Sequence, residues 1–391
     1  MIPLQKRAFR NEGGTKKSLV EFILKTDRFS MGAKCQEFEE LFAKKQGSKE
    51  AILFNSGGSA NLAMLQALKN MGKLTTGDKV GFSSLTWSTN VMPIIQMGFE
   101  PVIIDCEIKT LNVMSHNLLA TIAKGNIKAF FATNVLGFAG DLDIIKKICD
   151  EHNILLLEDN CESLGTELHS GKTGTFGLGA SFSFFVAHHM STIEGGMVCT
   201  DNEDFAEMLR IVRANGWDRN LKPNQQKKWR DKNNIQSEFH AKYAFYHLSF
   251  NLRPTEITGF LGVHQLQFLD DSIKKREQNY HRLAEFIRNN NDFVPLEENH
   301  IKVLSSFAFP IICKDSETRN KYVEIFTDAE IEIRPMIAGN MQYQPFYKEY
   351  AQNNVTLPGA DFLHNNSFYC GNNPEMTEEE LSILENCLRK K

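Results

Sequence analysis

Four places in the chain hold residue types able to act together on a ligand. Asn55–Leu62 reads NSGGSANL, small and hydroxyl residues that follow one apolar stretch and open a helical one. Free backbone N–H groups and the positive end of a helix dipole make such a turn a phosphate cradle, although many glycine turns are only turns. Trp87, in LTWSTN, can offer a flat face to a planar ligand or fill a core. Asp159 ends the apolar run ILLLED, where a carboxylate is costly without a cation or hydrogen-bond donors. Standing alone, it would suit a helix N-cap equally. The fourth place, SFFVAHHMSTIEGG from Ser183 to Gly196, has a serine, adjacent histidines and no lysine. An imidazole, with an unperturbed pKa of about 6.5, takes and gives protons near neutrality.

All four follow short runs that read as strands. From about Glu50 to Thr200, AILFNSG, KVGFSS, PVIIDC, KAFFATNV, ILLLED and ASFSFF alternate with helical stretches such as SANLAMLQALKNMG and DLDIIKKICDEHN. Apolar strands without polar alternation predict a parallel sheet covered on both faces, and an α/β fold. Ligands of such sheets sit outside the carboxyl ends of the strands, where these residues fall. RANGWDRNLKPNQQKKWRDKNNIQSEFH is polar and aperiodic, which suits a lid or a solvated loop. A helical region follows from about Thr255 to Asn290. KVLSSFAFPIICK, NKYVEIFTDAEIEIRPM and TEEELSILENCLRKK then suggest a smaller α+β unit, dividing the chain into 1–265 and 266–391.

The bulk composition narrows the function classes. The 391 residues allow two or three domains, or one large unit with an appendage. Lys+Arg 44 against Asp+Glu 48 leaves a net charge of −4, which calls for neither nucleic acid nor an anionic membrane. No run of apolar residues is long enough to span a bilayer, and MIPLQKRAFRNEGG lacks a signal-peptide core. The eight cysteines form no C-x-x-C pair. Reduced thiols in a cytoplasm, with no metal site, are the expectation.

Taken in order, the segments from Met31 to Leu266 resemble the nucleotide-sugar aminotransferases of the fold-type I pyridoxal 5′-phosphate (PLP) class. The resemblance is carried by MGAKCQEFEELFAKKQGSKEAILFNSGGSANL, PVIIDCEIKTLNV, ILLLEDNCESLGTE, GTFGLGASFSFF, EGGMVCTDN, RANGWDR and FNLRPTEITGFLGVHQL. It implies a seven-stranded, mostly parallel sheet between helices, a smaller C-terminal α+β domain, and a homodimer with shared sites. It also implies roles. Gly57, Gly58, Ser59 and Ser183 would hold the cofactor phosphate, with Asn251 reaching in from the neighbouring subunit. Trp87 would stack on the pyridine ring. Asp159 would lie under the ring nitrogen, and Glu162 near the ring hydroxyl.

Where that family has its cofactor lysine, counting back from Glu194 and forward from Ser183 both arrive at His188. An imidazole cannot form the Schiff base a lysine amine forms. Within the family this exchange marks the sugar 3-dehydratases, including those acting on GDP-4-keto-6-deoxymannose. The resemblance therefore implies a noncovalent cofactor, held largely as pyridoxamine 5′-phosphate (PMP) and restored by L-glutamate. His188 would move a proton at the cofactor methylene carbon, so that the hydroxyl at sugar carbon 3 leaves. His189 reads as structural. The lysines nearest in sequence are Lys172 and Lys222, in a loop and in the polar excursion. Arg219, Arg253 and Arg334 are candidates for the substrate diphosphate or for surface ion pairs. A branch acting on CDP-sugars carries an iron–sulfur cluster on grouped cysteines. Cys313 and Cys370 stand alone and residues 201–312 have none, so no cluster is expected.

Overall fold

The computed structural model describes residues 1–351 and 354–389. The strands, in chain order, are β1 (Glu50–Phe54), β2 (Lys79–Ser83), β3 (Glu100–Ile104), β4 (Ala129–Thr133), β5 (Leu155–Asp159), β6 (Glu167–Leu168), β7 (Gly171–Lys172), β8 (Gly179–Ser183), β9 (Gly196–Thr200), β10 (Ile301–Val303), β11 (Ala308–Ile312), β12 (Ile333–Pro335) and β13 (Ser367–Gly371). Among the described residues, seven of them form one sheet in the order β1-β9-β8-β5-β4-β2-β3. Its pairings are parallel except those of β9, which runs against both β1 and β8. Six of these strands are the six apolar runs of the sequence. The seventh, β9, is short and follows a Gly-Gly turn, so its apolar residues do not stand out as a run.

The sheet is buried on both faces, as its composition demands. Phe130, Leu156 and Ile145 belong to a cluster on one side, and Phe82, Phe131 and Leu157 to the main core on the other. The helix Gly57–Asn70 buries Ala60, Ala63, Met64, Leu65, Ala67 and Leu68, so its N-terminus is fixed rigidly over the sheet. Helices Glu256–Leu266 and Leu269–Arg288 fill the helical region read from the sequence. Beyond them a three-stranded sheet runs β11-β13-β12, antiparallel throughout. The first residues of the chain cross over to it: Ile2 bridges Ile331, and the Leu4 N–H donates to Glu332.

The polar excursion is more structured than its composition implies. It contains the helix Pro223–Lys232, pinned by one buried aromatic. Trp229 Nε1 donates to Glu207 at 2.5 Å, and Arg230 pairs with the buried Asp218 at 2.7 Å. One Trp in a ten-residue helix carries no periodic signal, which is why the helix is illegible as pattern.

Candidate active site

The carboxyl ends of β1, β5 and β8 converge, and β9 makes the convergence possible. Gly196 starts β9 and lies between Phe54 and Ser183 in the sheet. A Cβ there would stand 2.2 Å from the Ser56 carbonyl oxygen and 2.6 Å from the Gly57 nitrogen. Only glycine lets the turn after β1 cross over β9 toward Ser183. At the far side of the crossing the fit is equally close. A Cβ on Gly57 would come within 2.7 Å of Ser183 Cβ and 3.0 Å of Cys161 Sγ, and one on Gly58 within 2.9 Å of Thr89 Cγ2.

The turn is capped as a helix start should be. Ser56 is the N-cap, and its Oγ accepts from the Ser59 N–H at 3.0 Å. Gly57 and Gly58 open the first turn, whose N–H groups have no partner within the helix, and Gly57 lies against Ser183. Gly57, Gly58, Ser59 and Ser183 are thus one cup suited to a phosphate.

Asp159 ends β5 and is buried. Its Oδ2 accepts from Asn61 Nδ2 at 2.8 Å and its Oδ1 from the Cys161 N–H at 2.9 Å. No cation pairs with it among the described residues. A buried carboxylate oriented by neutral donors, with its charge unmatched, fits a protonated ring nitrogen. Trp87 is the N-cap of the helix Ser88–Gln96 and is 55% exposed, so its ring face is available for stacking. The residues present therefore fit a phosphorylated pyridine cofactor.

Glu162, on the turn after β5, accepts from the Leu136 N–H at 2.9 Å. Burial pushes its pKa up to about 8; that N–H opposes the rise and the Asp159 charge adds to it. At neutral pH Glu162 is then mostly a neutral acid, able to donate to an oxygen. Tyr369 on β13 lies in its field. Burial first, then the Glu162 charge, raises the phenol, while Arg334 on β12 acts the other way. Arg334 stands opposite Tyr369 in the strand register, so the small sheet presents both toward the Glu162 side. Its guanidinium is exposed and pairs with Glu332 at 2.5 Å.

His188 follows β8 on a turn whose N–H bonds to the Phe185 carbonyl. Its ring packs against Phe185 and Phe307, at centroid distances of 6.0 and 5.2 Å, and its Nδ1 is buried without a hydrogen bond. Burial, and after it the Arg276 charge, pulls the imidazole down to about 4. It is the free base at neutral pH. His189 is buried and tied by Nε2 to the Ser305 carbonyl at 2.9 Å. Lys172 donates to the Lys45 carbonyl at 2.7 Å, and Lys222 pairs with Glu50 at the opposite end of β1.

The remaining predicted residues lie apart. Asn251 bridges Ala214 and accepts from Arg253 Nε at 2.9 Å. Arg219 and Arg253 both flank the Trp217 ring, with guanidinium carbons 4.1 and 5.6 Å from its centroid. That group meets the phosphate turn through the backbone, where the Asn55 N–H donates to the Leu252 carbonyl. Asn61, Thr89 and Cys161 went unnamed in the sequence reading. Asn61 lies one helical turn past Gly57 and Thr89 two residues past Trp87, inside the motifs NSGGSANL and LTWSTN, and that proximity is the available signal.

The model of the DegT/DnrJ/EryC1/StrS aminotransferase family matches residues 11–389. The chain belongs to this family. Members it resembles include the GDP-4-keto-6-deoxy-D-mannose 3-dehydratase of Yersinia pseudotuberculosis, 33% identical over 95% of this chain and 94% of that one. The enzyme of the same name from Escherichia coli O55:H7 is 34% identical over 95% of each. A solved structure of the E. coli GDP-4-keto-6-deoxy-D-mannose-3-dehydratase with bound hydrated PLP superposes with a TM-score of 0.91, at 31% identity, over 100% of this chain and 99% of that one. Another, of the 3-dehydratase with a trapped PLP-glutamate geminal diamine, gives 0.90 at 30% identity over 100% of both. The DegT/DnrJ/EryC1/StrS fold is an α/β sheet of the PLP aminotransferase type, as found here. No helix among the described residues is long and apolar enough to cross a membrane.

Proposed function

We propose that this protein is a PLP/PMP-dependent 3-dehydratase of a nucleotide-linked 4-keto-6-deoxyhexose, with GDP-4-keto-6-deoxymannose the preferred substrate. One observation carries the proposal: an imidazole, His188, follows β8 where the aminotransferase pattern has a lysine. The two lysines that might replace it are engaged elsewhere. The names of the similar enzymes support the substrate class.

When bound, PMP supplies the amine that joins the sugar ketone and a conjugated ring that accepts electrons. The chain does the rest. The cup of Gly57, Gly58, Ser59 and Ser183 holds the phosphate, and Trp87 fixes the ring plane. Asp159 keeps the ring nitrogen protonated, which deepens the electron sink. Glu162, as a neutral acid, donates to the ring oxygen. His188 takes the proton from the cofactor methylene carbon while the hydroxyl at sugar carbon 3 departs. With His188 in place of the lysine that would recapture the product, water would complete the release. Overall, L-glutamate supplies two electrons and leaves as 2-oxoglutarate and ammonia, and the sugar loses one oxygen.

The assembly we propose is a homodimer in which Asn251 reaches the partner's phosphate cup and Arg219, Arg253 and Arg334 meet the diphosphate. Phe239, Tyr243, Phe245 and Leu248 are each at least 60% exposed, a cluster that needs a cover and supports this assembly. The division into units 1–265 and 266–391 is part of the same proposal, as is a cytoplasmic site of action.

The experiment incubates the protein with PLP, L-glutamate and GDP-4-keto-6-deoxymannose. The expected result is ammonia and a sugar product lighter by one oxygen. A 4-amino sugar with no ammonia would instead identify an aminotransferase.

A further inference from the structure

Beneath the N-terminal arm lies a small cavity of about 40 Å³, lined by His188, His189, Arg276 and residues of the arm. Four cations border it. Lys6 pairs with Glu380 at 2.7 Å, Arg7 with Glu375 at 3.5 Å, and Arg10 with Asp271 and Glu375 at 2.6 and 3.2 Å. Arg276, on the helix Leu269–Arg288, is the exception. It is 4% exposed and, among the described residues, pairs with no carboxylate. Its Nη1 donates instead to the carbonyls of Phe307 and Asn372, each at 2.6 Å, and its Nε has no partner. Asn372 in turn donates to the Arg276 and Ser306 carbonyls. This network fixes the segment 305–307, which carries the Phe307 ring under His188 and the Ser305 carbonyl that holds His189.

We propose that Arg276 is a positioning residue for His188: its buried guanidinium clamps the segment that seats the imidazole and faces that ring with an unmatched positive charge. The inference rests on His188 being the proton-transfer group. A buried arginine without a carboxylate is expensive, and packing alone would be served better by an apolar side chain. The charge has a use beside a base, because a nearby cation disfavours protonation of the imidazole. Among the described residues lining the cavity, the other charged groups, Lys6, Arg7, Arg10 and Glu375, are paired, and His189 is tied to the Ser305 carbonyl.

The test follows the imidazole itself. The ¹⁵N ring shifts of the full chain are titrated, with the His188 signal assigned by its loss in His188→Asn. In the parent, His188 should titrate far below a free imidazole. Arg276→Gln should raise its proton affinity by roughly tenfold, whereas Arg276→Lys, which keeps the charge, should raise it much less. The acid limb of the pH profile for ammonia release should move by the same amount in the Gln variant. A parent midpoint near that of free histidine overturns the proposal even if no variant folds. So does an unchanged midpoint in Arg276→Gln. Failure of the dehydratase reading looks different: no ammonia is released while the titrations are as expected.

Discussion

Asn61 Nδ2 stands 2.8 Å from Asp159 Oδ2, and both are buried. The helix that caps the phosphate turn at one end therefore orients the carboxylate one turn further along. One rigid element thus carries the turn proposed for the cofactor phosphate and orients the carboxylate proposed for the ring nitrogen.

Removing that bond should weaken cofactor binding without unfolding the chain. Hydrogen bonds to charged groups are worth about 1.5–3 kcal/mol, so Asn61→Ala should lower PMP affinity by roughly tenfold to a hundredfold. Tryptophan fluorescence titration measures it. Unchanged affinity would mean that Asp159 needs no orienting partner.

Gly57→Ala places a Cβ 2.7 Å from Ser183 Cβ. One of the two must move, at a cost of about 1–3 kcal/mol, and the phosphate cup opens. Affinity for PMP should fall far more than affinity for pyridoxamine, which lacks the phosphate. Equal losses for the two would remove Gly57 from the cup.

His188→Lys restores an amine after β8, where the aminotransferase pattern has one. The expected protein carries a covalent, borohydride-fixable cofactor and releases no ammonia from the sugar reaction. Deoxygenation at the parent's rate would remove His188 from its role.

Glu162 gives a pH-dependent stability. Its folded pKa of about 8, raised above the ordinary 4.5 by burial, means the folded chain keeps a proton that the unfolded chain has released. Its contribution is fully present below the unfolded value and is lost as pH rises toward about 8. In urea, Glu162→Gln should gain on the parent between about pH 5 and about pH 8 and gain no more above. A difference independent of pH would show Glu162 ionised throughout.

Leu248 is 77% exposed and Tyr243 70%. If they line the dimer face, Leu248→Asp with Tyr243→Asp should weaken dimerisation by roughly thirtyfold or more, as buried anchors do. Sedimentation at graded concentration reads it. A parent that sediments as a monomer contradicts the shared site.

Asp159, Ser183 and the Gly57 turn were legible in sequence for one physical reason. A buried parallel strand writes itself as an apolar run, and its ligand end is the first polar residue after it. Arg276, Tyr369 and Asn372 were not legible. They reach the site from a helix and a sheet more than eighty residues downstream of His188, and nothing local marks which face they present. The β9 strand hid differently: its role is carried by Gly196, a residue defined by the side chain it lacks.

The arm that roofs the His188 cavity is anchored to partners up to 374 positions away. A ribosome synthesises that arm well before those anchors. The nascent polypeptide therefore waits, with its histidine loop uncovered, until those anchors have emerged, so translation products cut short before Asn373 would carry the loop without the anchors of its roof.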